Sequence, residues 1–110
     1  DVVIHGVPSK DVIIKDGDVV KVDTVVLKNG FNGDAARTYL IGNVTDEARR
    51  LAETAKRAFY EGLKFAKEGN RVGDISNAVG EYVKSKGYSV VREFEGHGLS
   101  REKLKLWVRK

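Results

Sequence analysis

Two periodicities divide the chain. Residues 18–28, from Asp18 to Lys28, carry Val19, Val20, Val22, Val25, Val26 and Leu27, a β-branched run that predicts a strand. Asn29-Gly30 follows. Both positions tolerate a positive φ, so the pair predicts a hairpin turn, and residues 35–41 read as the returning strand, closing at Gly42. Residues 1–5 are also β-prone and stop at Gly6 and Pro8. Beyond residue 45 the period lengthens. Ala48, Leu51, Ala52, Ala55, Ala58, Phe59, Gly62, Leu63 and Ala66 recur at three- and four-residue steps, the stripe of an amphipathic helix. Thr45 suits its N-cap, Asp46 and Glu47 suit the positive end of its dipole, and Gly69 suits its exit. The small residues on the stripe predict a helix lying close to a sheet. A second helix is predicted over 73–86, with Ile75, Ala78, Val79, Tyr82 and Val83 inward and Gly87 ending it.

Tyr88 to Glu95 reads as a further strand. In the last segment Leu104, Leu106 and Val108 alternate with Lys103, Lys105, Trp107 and Arg109, which favours a strand over a short helix. The order β-β-β-α-α-β-β predicts an α+β fold in one domain spanning residues 1–110. It has two layers, an antiparallel sheet of about four to five strands with both helices on one face.

Composition narrows the function classes. A chain of 110 residues, 41% apolar and 33% charged, suits one small soluble domain. No apolar run approaches the roughly 20 residues needed to span a bilayer, and the opening residues show no secretory pattern. The expectation is a cytoplasmic protein, if a natural one, with no membrane partner. Without cysteine, disulfides and thiolate metal sites are excluded. Methionine is absent too, which together with a start at Asp1 suggests a truncated or rebuilt chain. The net charge of +4 lies entirely in the last ten residues, where Arg101, Lys103, Lys105, Arg109 and Lys110 face one acid, Glu102. Such a patch attracts nucleic acid or anions. No nucleic-acid motif accompanies it, so lysines guarding an edge strand are the simpler reading.

Three residues stand out chemically. Asp23 interrupts an apolar strand, where aspartate is disfavoured. Asp34 follows eleven positions later, across the hairpin. Two carboxylates on facing strands call for a cation between them: a divalent metal, Arg37 or Lys21. Alternation also offers a plain solvent face for Lys21, Asp23 and Val25. His97 sits in Glu95-Gly96-His97-Gly98, where glycines permit close approach. Neither His97 nor His5 points to a site by itself.

Together these motifs resemble the type I methionine aminopeptidases. The resemblance is carried by His5-Gly6-Val7-Pro8, Asp16-Gly17-Asp18-Val19-Val20, Asp23, and Asn29-Gly30-Phe31-Asn32-Gly33-Asp34-Ala35-Ala36-Arg37-Thr38. Glu68-Gly69-Asn70-Arg71-Val72-Gly73-Asp74-Ile75 and Gly87 through Gly98 continue it, with order and spacing kept over residues 1–99. It implies a pita-bread fold, a curved antiparallel sheet covered by helices. It also implies two divalent ions that activate water to remove an N-terminal methionine. In that scheme Asp23 is a terminal ligand of one ion, Asp34 bridges both, His97 binds the other, and His5 helps position substrate.

The departures shape the expectation. Ser100 stands where that family has glycine, and Leu104 where it has a second catalytic histidine, seven positions after His97. The segments carrying two glutamate ligands do not appear, which leaves three of five ligands. The chain therefore reads as a truncated or engineered aminopeptidase-like domain, residues 1–99 with a non-family tail at 100–110, without native peptidase activity. One alternative is a residual divalent-metal-binding protein or weak metallohydrolase using Asp23, Asp34 and His97, with cobalt, manganese or zinc bound weakly and no cofactor required. Another is self-association as a homodimer, or anion binding through the tail.

Overall fold

The computed structural model describes residues 4–94 and 96–99. Its first regular element is a hairpin of two ten-residue strands, β1 (Val19–Lys28) and β2 (Phe31–Leu40). They pair antiparallel from Val19 opposite Leu40 to Lys28 opposite Phe31. The two residues between them turn the chain with φ of 53° at Asn29 and 80° at Gly30. Positive φ at both central positions gives a turn whose twist matches that of the strands. The returning strand accordingly starts at Phe31, before the expected residue 35.

The open end of the hairpin is latched. The Gly17 amide donates to the Ile41 carbonyl at 2.8 Å, and the Ile41 amide to the Asp18 carbonyl at 2.9 Å. Asp16 Oδ1 accepts from the Asn43 amide at 2.9 Å. Gly42 has φ of 59°, and a Cβ there would fall 1.8 Å from Asp16 Oδ1. The latch therefore needs a residue with no side chain at 42.

Helix α1 (Asp46–Leu63) starts as expected, with Thr45 Oγ1 accepting from the Ala48 amide at 3.2 Å. It ends one and a half turns before Gly69. The Phe65 and Ala66 amides reach back only three residues, to Gly62 and Leu63, which tightens the last turn. Gly69, at φ 88°, serves the loop beyond it. Helix α2 (Val72–Ser85) begins with the Asp74 carboxylate accepting from the Arg71 amide at 2.7 Å. It closes through Gly87, whose amide bonds the Lys84 carbonyl at 2.9 Å while the Tyr88 amide bonds Val83 at 3.2 Å. That paired closure needs the left-handed φ of 80° that Gly87 adopts.

The helices pack on each other. Ile75, Ala78, Val79, Tyr82 and Val83 are all half-buried, as their spacing predicts. On α1 the buried positions are Thr54, Ala58 and Gly62. A Cβ at Gly62 would lie 2.7 Å from Val79 Cγ2 and 3.2 Å from Ile75 Cγ2. Gly62 thus lets α1 approach α2, where closeness to a sheet was expected. Of the rest of the predicted stripe, Ala48 and Ala52 are half-buried, while Leu51, Ala55, Phe59, Leu63 and Ala66 are exposed. Among the described residues Ala58 is the one buried hydrophobic residue.

The fold is α+β, with an antiparallel sheet of two strands among the described residues in place of four to five. Residues 88–94 form no strand. Their β-prone side chains Val90, Val91 and Phe94 are exposed, and propensity without a neighbouring ladder does not make a strand. Ile4 and His5 are not extended pairs either, and His5 at φ 55° breaks the predicted opening strand. The rest of that segment, Glu95, and the predicted strand at 103–109 lie outside the described residues.

Candidate functional site

The strand register decides which side chains share a face. Asp23 lies opposite Ala36, and Asp34 lies opposite Val25. Directly paired residues point to the same side, and residues two apart along a strand do likewise. Asp23 and Asp34 are therefore diagonal neighbours on one face of the hairpin, roughly 7–8 Å apart at the backbone. The alanine opposite Asp23 leaves that face shallow between the two carboxylates. Lys21, opposite Thr38, shares it.

Arg37 does not. It lies opposite Val22, on the other face, where its Nη1 donates to the Ala36 carbonyl at 2.9 Å. Of the cations considered for the carboxylate pair, the register removes Arg37 and keeps Lys21 and a metal ion.

His97 approaches the same face from beyond α2. Its Nε2 lies 3.9 Å from Asp34 Oδ2, with both side chains partly covered. Its Nδ1 lies 3.0 Å from the Gly98 carbonyl oxygen. Bonding a carbonyl requires a proton on Nδ1, so the neutral ring turns its Nε2 lone pair toward Asp34. A lone pair and a carboxylate oxygen repel at that separation unless the ring is protonated or a cation lies between them. Two metal–ligand bonds of about 2.0–2.2 Å span such a gap. Imidazole and carboxylate also form a donor set suited to cobalt, manganese or zinc.

The structure thus joins Asp34 to His97 and sets Asp23 on the same face. It does not close the three into a cage: among the described residues no group of three or more His, Asp or Glu side chains comes within reach of one ion. His5 is exposed in the segment before the Ser9–Val12 turn, in the left-handed region that histidine seldom occupies. Sequence reasoning missed two contributors. Ala36 makes room opposite Asp23, and two-residue turn arithmetic from Asn29-Gly30 was the signal for it. Gly98 fixes the histidine tautomer through its carbonyl, which no sequence pattern announces. A third tie holds the chain after α2. The Arg50 guanidinium hydrogen-bonds Tyr88, which raises it above the ordinary arginine value.

Residues 1–105 match metallopeptidase family M24, a match that runs past residue 99 into the segment set apart as a tail. A methionine aminopeptidase of Clostridium acetobutylicum is 47% identical over 100 residues, covering 91% of this chain and 40% of its own. Methionine aminopeptidase 1 of Bacillus subtilis is 41% identical over 99 residues, covering 90% of this chain and 40% of its own. Among solved structures, the methionine aminopeptidase of Thermotoga maritima superposes with a TM-score of 0.85 at 37% identity, covering 90% of this chain and 40% of that one. That of Rickettsia prowazekii gives 0.82 at 37% identity, covering 88% and 39%. The chain spans about 40% of the length of these relatives.

Proposed function

The chain belongs to metallopeptidase family M24, and from that premise we propose that its 110 residues supply part of a divalent-metal centre of the methionine aminopeptidase type. Asp34 and His97 hold one cation, and Asp23 is the carboxylate beside it. The observation that carries this reading is the approach of His97 Nε2 to Asp34 Oδ2 at 3.9 Å, with the ring's other nitrogen engaged by Gly98. A bound ion in such a site supplies an activated water and stabilises developing oxyanion charge. The chain's own residues do the rest. Gly98 keeps the Nε2 lone pair available, Asp34 offers carboxylate oxygens, and His5, by its resemblance to the family's motif, is the residue proposed to position substrate.

By themselves these residues bind a cation without cleaving peptides. Catalytic zinc sites keep three protein ligands and one open position, whereas among the described residues two donors come together. Hydrolysis also needs a second group at the tetrahedral intermediate. Removal of an N-terminal methionine is thus the activity proposed for a whole domain of this family. For this chain the proposal is the half-site. An engineered origin is a separate proposal, supported by the absence of methionine and cysteine, and a natural reading frame encoding the chain overturns it.

The test is a thermal melt of the 110-residue protein with cobalt, manganese or zinc, beside cleavage of a Met-Ala peptide. The expected result is a rise in melting temperature that disappears in Asp34→Ala, with no cleavage. A rise that survives Asp34→Ala refutes the site, and cleavage above background refutes the half-site.

A further inference from the structure

The outer edge of β1 has no strand beside it among the described residues, since the sheet consists of β1 and β2 alone. Ten residues of unpaired edge invite another strand. Natural edges are commonly blunted by proline, a bulge or a lone lysine. β1 has no proline, and it pairs with β2 in an unbroken register. It does have two lysines, Lys28 at its end and Lys21 near its middle, but Lys21 is answered two positions later by an acid, Asp23.

We propose that β1 is a self-recognition edge. Two copies of the chain pair antiparallel along it, about a two-fold axis through Val22, with Lys21 of each copy opposite Asp23 of the other. The proposal goes beyond the metal site and does not depend on it.

Symmetry makes this register the favoured one. A two-fold axis perpendicular to a sheet keeps each face on its own side, so paired residues must both be odd-numbered or both even-numbered. Within β1 the charged residues are Lys21, Asp23 and Lys28. Only Lys21 and Asp23 combine opposite sign with matching parity, and each dimer forms that pair twice. Shifting one step either way sets Lys21 or Asp23 against its own copy, and like charges directly opposite are destabilising. The one step that would also pair Asp18 with Lys28 is the step that sets Asp23 against itself.

The apolar positions agree with this register. It sets Val22 against Val22 and Val19 against Val25, and these valines are 48%, 44% and 43% exposed in the single chain. Beside the start of β1 runs a shallow groove lined by Val12, Ile14, Val19 and Val20, with Asp18 and Lys21 also on its wall. In the paired arrangement the second copy's Val25 and Val26 enter at that end. β-Branched pairs across strands are the favoured kind, and the product is a four-stranded sheet.

The experiment is sedimentation equilibrium of the 110-residue protein, of K21D, of D23K, of an equimolar mixture of the two, and of the double variant K21D/D23K. Wild type is expected at twice the monomer mass at high concentration. Each single variant sets like charges opposite one another at both positions and is expected to dissociate about tenfold more readily or worse. The mixture and the double variant both restore opposite charges, and both are expected to recover the dimer. That recovery separates lost pairing from lost folding. A wild-type monomer at the highest concentration overturns the proposal. So do single variants that associate like wild type, or a mixture and a double variant that both stay monomeric.

Discussion

Gly98 sets the chemistry of the histidine before it. Because its carbonyl accepts a hydrogen bond from Nδ1–H of His97, the ring can offer Nε2 toward Asp34. His97→Ala should therefore abolish the cation-induced rise in melting temperature, as Asp34→Ala does. Asp23→Ala should only reduce it, because Asp23 sits on the diagonal, outside the closest pair. Melts across a metal titration distinguish the two outcomes. Gly62 is a structural counterpart. A methyl group there would meet Val79 Cγ2 at 2.7 Å inside the helix pair. Gly62→Ala should cost about 1–3 kcal/mol by overpacking, although alanine alone would favour the helix. Urea titration monitored by circular dichroism measures the balance, and a gain in stability would show that α1 and α2 move apart freely. The candidate ligands as a set come from the resemblance to the aminopeptidase motifs, and the common face of Asp23 and Asp34 follows from a two-residue turn at Asn29-Gly30. The same turn puts Arg37 on the other face. What residue spacing could not supply was the arrival of His97, which needs the tertiary path after α2.

At the level of elements, the hairpin and both helices are local enough to be written in the chain. Thr45 caps α1 through its hydroxyl, and Thr45→Ala should cost about 0.5–2 kcal/mol. Gly87 ends α2 in the left-handed region, so Gly87→Ala should also destabilise, by roughly 1 kcal/mol. Thermal melts of both variants test these costs, and an unchanged Gly87→Ala would mean the closure frays in solution. The same local signals failed at residues 88–94. Val90, Val91 and Phe94 have strand propensity, but a strand is a paired object, and pairing is decided by which other strand lies alongside. The expectation of both helices covering one face of a sheet failed differently at Gly62. Its small size was legible, but the surface it approaches belongs to α2, and periodicity marks a buried face without naming its neighbour.

At the scale of the molecule, the described residues form two pairs of elements with little interior. Ala58 is the one hydrophobic residue buried there, while Val26, Leu27, Phe31 and Phe59 are each about 60% exposed. Burying a Leu or Phe side chain contributes roughly 1.5–3 kcal/mol, and most of that contribution is not collected within this arrangement. A relative that superposes with a TM-score of 0.85 is more than twice as long, since 90% of this chain covers 40% of it. Among the described residues the fold therefore has little of the apolar burial that makes unfolding cooperative. Denaturant slopes scale with the surface newly exposed, so the dilute chain should unfold in urea with a slope near or below the low end for small proteins, about 1 kcal/mol/M. It should also bind a hydrophobic dye before any urea is added. Raising the protein concentration should steepen the transition and suppress dye binding if β1 edges pair, because association then supplies burial that the single chain lacks. A steep transition in dilute solution, with no dye binding, would mean that the exposed valines and phenylalanines are already covered within one chain, leaving no edge for a second copy to occupy.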